Sequence, residues 1–207
     1  MGGSFEEDWN RVASSIRSSK TELWYAWAEI AIKDEREAWQ GRRAAKAALN
    51  HGQTPVPGIE RETKGAMSAV VAAAACVEAL ANELQQFVPK VTGPAPRRVV
   101  DVMRSVFGEV IDQPVVDEIQ WLFDFRNTTI HYRAEWAELQ AHPAFGMLTT
   151  RVASTYTKEA ATRGVDVVES VLKSVVKPGR SEIREAGWWA SRWRSLPDDL
   201  HAERPKR

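Results

Sequence analysis

A chain of 207 residues, 43% hydrophobic and 27% charged, is long enough for one domain with a sizeable core and too apolar for overall disorder. Its 28 basic and 28 acidic residues cancel, so no global field draws it to nucleic acid or an anionic membrane, and any polyanion must meet a local patch. The single cysteine, Cys76, excludes an internal disulfide and any multi-cysteine metal site; within AVVAAAACVEAL it reads as a small core residue.

In chain order the sequence reads as helices punctuated by glycine and proline. No period-two run, no Asn-Gly or Asp-Gly hairpin turn and no internal repeat stands out. The opening MGGSFEEDW is acidic and lacks an apolar stretch, so no secretory signal is expected and a reducing, cytoplasmic setting is. A short helix over about 7–18 leads to a long one over about 21–49, closed by Asn50-His51-Gly52 as a left-handed cap. QTPVPG is expected as a loop, because two prolines interrupt a helix. The next helix, about 61–88, is alanine-rich and apolar nearly all round in its first half, which places it at the centre of the core. Its longest apolar run, about 66–77, is too short for a bilayer and ends at Glu78, so no membrane partner is expected.

Pro89 and GPAP end that helix, and a shorter one over 97–107 stops near Gly108. Asp112 and Pro114 open the next, along which Val115, Ile119, Leu122, Arg126 and Ile130 follow one face, widened by Trp121, Phe123 and Phe125. After His142-Pro143 and Gly146, an amphipathic helix over about 156–176 carries Ala160, Ala161, Val165, Val168, Val171, Leu172 and Val175 at core spacing. SEIREAGWWASRWRSL supplies one more helix, and PDDLHAERPKR is expected to fray. The organisation expected is all-α: an N-terminal segment (1–20), a helical bundle (21–177) and a Trp-rich C-terminal helix and tail (178–207).

The chemical signal lies in LFDFRNTTIHYRAEW, residues 122–136. Arg126 and His131 are five residues apart, about 140° around an ideal helix, so they share a face only if Arg126 reaches back, the helix bends, or two copies meet. Asn127 and His131, four apart, do share a face, and Asn127 can fix the imidazole tautomer. An arginine, an amide and a histidine in a cleft suit chemistry at a phosphate, since guanidinium forks onto phosphoryl oxygens and imidazole moves protons near neutral pH.

RNTTIH resembles the R-x4-H motif of the HEPN superfamily (higher eukaryotes and prokaryotes nucleotide-binding domains), including the common asparagine after the arginine. AVVAAAACVEALANEL is similar to that family's alanine-rich helix, with Glu78 and Asn82 one turn apart, and YTKEAATRGVDVVESVLKSV to the helix after the motif; the likeness covers roughly 61–177. It implies an up-and-down α-helical bundle that forms a homodimer through the motif helices. It further implies a metal-independent endoribonuclease needing no cofactor, often a toxin or antiviral effector with a cognate antitoxin or defence partner. By position, His131 is then the general acid/base, Arg126 the phosphate clamp, and Asn127, Glu78, Asn82, Tyr132 and Arg133 supporting residues. Where some members carry a modifiable tyrosine, R-x4-H-x-Y, this chain has Arg133, so neutralisation at that position is not expected.

Each of these residues also has a plainer role. Arg126, Asn127 and His131 equally suit a helix-ending cluster that seals an interface without catalysis, and many HEPN domains keep the fold without nuclease activity. Glu78, Asn82 and Gln85 equally begin a polar stripe. His51, His142 and His201 show no metal spacing. Arg97, Arg98 and Arg104, or Arg42, Arg43 and Lys46, suit either an RNA backbone or a solvated helix face. Of nine tryptophans, most read as core; Trp188, Trp189 and Trp193, if exposed, form a partner surface.

Overall fold

The structure is a computed structural model, described for residues 23–109, 111–130, 138–176, 181–193 and 196–205. The helix expected over 7–18, the motif residues His131, Tyr132 and Arg133, and the Trp188 side chain lie outside the described residues.

Two long helices, α1 (Leu23–Asn50) and α2 (Val56–Leu84), form the frame. Small residues recur every seven positions on the facing sides, Ala31, Ala38 and Ala45 on α1 and Gly58, Gly65 and Ala72 on α2, all buried. A seven-residue repeat keeps one seam facing its partner along the whole length. Gly41 meets the backbone of Glu62, Gly58 that of Ala45 and Gly65 that of Ala38, which makes the pair antiparallel. Glycine inside a helix costs about 1 kcal/mol relative to alanine. Here a Cβ would lie 2.3 Å from Glu62 N at Gly41, 2.4 Å from Ala45 N at Gly58 and 2.6 Å from Ala38 N at Gly65.

The end of α1 matches the expected cap: Gly52 has φ 66° and Gln53 N donates to Ala48 O at 2.8 Å. Helix α2 starts five residues before the expected position, because Pro57 falls in its first turn, where a missing N–H leaves no bond unmade. It ends at Leu84 and tightens into a 3₁₀ turn over Gln85–Phe87. By length and apolarity Val56–Phe87 matches a membrane span, more than the 66–77 run alone suggests, but 61% of its most apolar window is buried. Helix α2 touches α1, α3 (Ala95–Phe107), α4 (Gln113–Ile130) and α6 (Lys158–Val175), so its apolar surface serves the core.

Helix α3 stops at Gly108, φ 75°. Asp112 Oδ1 accepts from Val115 N at 3.2 Å and starts α4. The expected all-α class holds, and beyond the motif the helices are interrupted by one small hairpin. Leu139–Ala141 (β1) and Leu148–Thr150 (β2) pair antiparallel as a small hairpin, with Leu139 opposite Thr150. Three-residue strands with mostly exposed side chains leave no alternation to read. A short helix α5 (Arg151–Thr155) follows, so the expected 156 start moves to Lys158, with Tyr156 buried at the junction.

The expected C-terminal helix forms, and residues 197–203, expected to fray, continue as a further helix. Helices α7 (Arg184–Arg192) and α8 (Leu196–Glu203) share the main core through Trp189, Ala190, Leu196 and Leu200. Trp193 packs edge-on to Trp24 with centroids 5.0 Å apart, and Trp189 lies 6.0 Å from Trp24. Arg204, 5% exposed, forks onto buried Glu35 at 2.9 and 3.0 Å and reaches Asp166 at 2.6 Å and Glu169 at 2.9 Å. The tryptophan pair is therefore packing, not a free partner surface.

A second buried carboxylate joins four elements. Glu62 of α2, fully buried, takes Arg42 of α1 through Nε at 2.8 Å and Nη2 at 2.6 Å, and accepts from Lys158 N at the start of α6 at 2.8 Å. A carboxylate there also opposes the positive end of the α6 dipole. His142, in the hairpin turn, is buried with Nε2 3.9 Å from Glu62 Oε2, while its Nδ1 accepts from Ala144 N at 3.2 Å. Burial pushes its imidazole below the usual value; Glu62 and Glu159 oppose the shift and Arg42 adds to it.

Gly58→Ala is expected to lower the unfolding free energy by about 1–3 kcal/mol or more in urea titration. Gly187→Ala, where a Cβ meets nothing within 4 Å, is expected to leave it unchanged or raise it by up to about 1 kcal/mol.

Because the folded His142 binds a proton less readily than the unfolded one, its contribution is complete above the unfolded value of 6.5 and is lost as pH falls from there towards the folded value. The melting temperature of wild type is expected to fall as pH is lowered through this window. His142→Asn, which keeps an acceptor for Ala144 N, is expected to start lower near pH 7.5 and show a flatter profile below 6.5.

Candidate functional site

The arginine of the R-x4-H stretch is placed by the packing of its own helix. Phe125 of α4 meets Tyr156 edge-on with centroids 4.9 Å apart, and Thr129 Oγ1 lies 2.7 Å from the Tyr156 hydroxyl. Arg163 of α6 forks onto Glu118 at 2.8 and 2.9 Å and covers Trp121 at 4.0 Å. With Ile119, Leu122 and Phe123 buried, these contacts fix the rotation of α4 and turn Arg126 towards α2.

There Arg126 Nη1 donates to Glu78 Oε2 at 3.1 Å, and Nη2 to Asn127 Oδ1 at 3.2 Å. Its guanidinium lies 5.1 Å from the Phe123 centroid, a cation–π approach. The other Glu78 oxygen accepts from Arg98 Nη2 of α3 at 2.6 Å. One carboxylate thus holds two guanidinium groups, and the three side chains are 28% (Glu78), 23% (Arg126) and 30% (Arg98) exposed.

An arginine has five N–H donors; among the described residues Arg126 uses one on Glu78 and one on Asn127, and its buried Nε has no partner. Arg98 Nε is likewise buried without one. The trio carries a net positive charge and is partly open to solvent, an arrangement suited to a phosphate oxygen.

Of the residues singled out in the sequence, the structure joins Arg126, Asn127 and Glu78. Asn82 is exposed one turn along α2, and no hydrogen bond links it to Arg126 among the described residues. The expected contact of Asn127 with His131 lies outside the described residues. Arg98 was grouped with Arg97 and Arg104 as a solvated face or RNA contact, yet each has its own carboxylate. Arg97 faces Asp101 at 3.5 Å and Arg104 faces Glu109 at 3.6 Å, so only Arg98 enters the site. The sequence signal for this was its place one turn before buried Val102 of α3. Among the described residues no group of three or more His, Cys, Asp or Glu side chains gathers as a metal site. Cys76 is buried, and burial pushes its thiol above the usual value, away from reactivity.

No family model, curated protein or solved structure matches this chain.

Removing the shared carboxylate with Glu78→Ala is expected to cost about 1–3 kcal/mol of stability in urea titration. A double-mutant cycle between Glu78→Ala and Arg126→Ala is expected to return a coupling of about 1 kcal/mol, and one between Asn82→Ala and Arg126→Ala a value near zero.

Proposed function

We propose that this chain is a metal-independent endoribonuclease of the HEPN type. Arg126 clamps the scissile phosphate and His131 serves as general acid/base in a cleft shared by two copies. The observation that carries the reading is the setting of Arg126: the arginine of the R-x4-H stretch is held at one N–H by Glu78 of the alanine-rich helix while its side chain stays 23% exposed. The packing of α4 on α2 also agrees with it.

In the reaction the ribose 2′-OH loses its proton to a base and attacks the adjacent phosphorus, and the 5′-oxygen leaves with a proton. The products are a 2′,3′-cyclic phosphate and a 5′-OH. Arg126 balances charge on the phosphoryl oxygens, and His131 handles the protons. Removing general acid–base help costs roughly 10²–10⁴ in rate, and removing a charge-stabilising donor costs a comparable factor. The biological setting that fits is a toxin–antitoxin pair or phage defence, with RNA as substrate and a cognate protein as restraint.

One observation favours a second reading. The Glu78 carboxylate already neutralises Arg126 and ties it to Arg98, as in a non-catalytic HEPN-like dimerisation module that binds a protein or nucleotide partner.

Total RNA incubated with purified protein in EDTA, with mass analysis of product ends, separates the two. Cleavage to cyclic-phosphate ends by wild type, reduced at least about 10²-fold in Arg126→Ala and His131→Ala, is the result expected. Cleavage surviving in both variants sinks the residue assignment. Silence from a folded wild-type dimer moves the assignment to the binding module.

A further inference from the structure

A separate cavity lies between α1 and the end of α8. It measures about 460 Å³ and is lined by Arg36, Trp39, Gln40, Arg43 and Pro205, within the roughly 300–1,000 Å³ of small-molecule sites. We propose that it binds a nucleotide unit, with the phosphate on Arg36 and Arg43 and the base against Trp39.

The polar groups it offers are donors. Arg36 and Arg43 are exposed, and neither has a carboxylate within ion-pair distance among the described residues. Arg36 is steadied from behind, its Nη2 donating to Glu203 O at 2.6 Å. Gln40 uses its side-chain oxygen on Arg61, so what remains of its amide is N–H. Neighbouring Arg42 is consumed by Glu62 and Glu159; Arg43, one position on, is left facing the cavity. Such a site selects an acceptor-rich anion.

The apolar part selects a flat one. The Trp39 indole is fixed by its Nε1 donating to Thr162 Oγ1 at 3.1 Å. Lys158 Nζ sits 3.7 Å from the ring centroid, and the Arg43 guanidinium stands 5.9 Å away. An aromatic plate with Lys158 and Arg43 set over it, and Pro205 as a further apolar wall, combines base stacking with phosphate contact, the pairing by which proteins hold single-stranded nucleic acid. The unit is supplied either by a free mononucleotide or by an RNA strand, and the proposal does not depend on the chain's being a ribonuclease.

The test is binding of two probes, AMP by calorimetry and a labelled, uncleavable 2′-O-methyl decanucleotide by anisotropy. Wild type is expected to bind at least one of them. AMP bound as well as the strand identifies a free-nucleotide site, and the strand alone an RNA subsite. Arg36→Ala and Arg43→Ala, both at exposed positions, are each expected to weaken binding about tenfold, and Trp39→Leu by tenfold or more. For the strand, each arginine lost also makes the salt dependence shallower by about 0.7 in log–log slope. Arg97→Ala, outside the cavity and paired with Asp101, is expected to bind as wild type. Binding of neither probe by the folded protein, or binding indifferent to Arg36, Arg43 and Trp39, overturns the proposal.

Discussion

Backbone-to-backbone contact between α1 and α2 governs this molecule. Gly41, Gly58 and Gly65, with Ala38 and Ala45 opposite, bring the two helices closer than any larger side chain allows. The closeness has consequences beyond its dispersion energy. Side chains beside the seam are drawn close to it, and two carboxylates of ordinary helical sequence, Glu35 and Glu62, become fully enclosed. Each then requires a counter-charge, and the rest of the chain is arranged to supply it.

The two answers differ in kind. Glu62 is met locally, by Arg42 across the seam and by the first N–H of α6, so one ion pair also sets where the helix after the hairpin begins. Glu35 is met by Arg204, which draws α8 down onto α1 and α6. Buried ion pairs of this sort add little net stability over an apolar core, because both charges are desolvated; their larger effect is to penalise alternative packings that leave one charge alone. Glu78 is a third, half-open case, where a carboxylate shared by Arg98 and Arg126 stays partly exposed together with both guanidinium side chains.

Much of the helical layout was legible because proline, glycine and apolar spacing are local signals. The Gly52 cap, the stop at Gly108, the start at Asp112 and the central place of the alanine-rich helix follow from residues within a few positions of each other. The early start of α2 misread Pro57 as a breaker where it is a first-turn residue. The hairpin was too short to show a period, and the docking of 196–204 depends on charges remote in sequence. At the candidate site, the Glu78–Arg126 link connects two stretches of the proposed family likeness, whereas only its helical register, one turn before buried Val102, separates Arg98 from Arg97 in the sequence. The seven-residue spacing of alanine and glycine was readable in principle, but an apolar pattern built from such small side chains resembles simple helix propensity.

The reach of the Glu35–Arg204 pair, 169 positions apart, bears on how the chain is made. A ribosome delivers α1 and α2 before α7 and α8, and their seam can zip while the remainder is still being synthesised. Throughout that interval Glu35 has no Arg204, and Trp24 lacks the indole rings of Trp189 and Trp193 that later enclose it. The half-made protein therefore carries an apolar patch beside an unanswered charge, the kind of surface chaperones recognise, and it is sealed only by one of the last described residues to emerge.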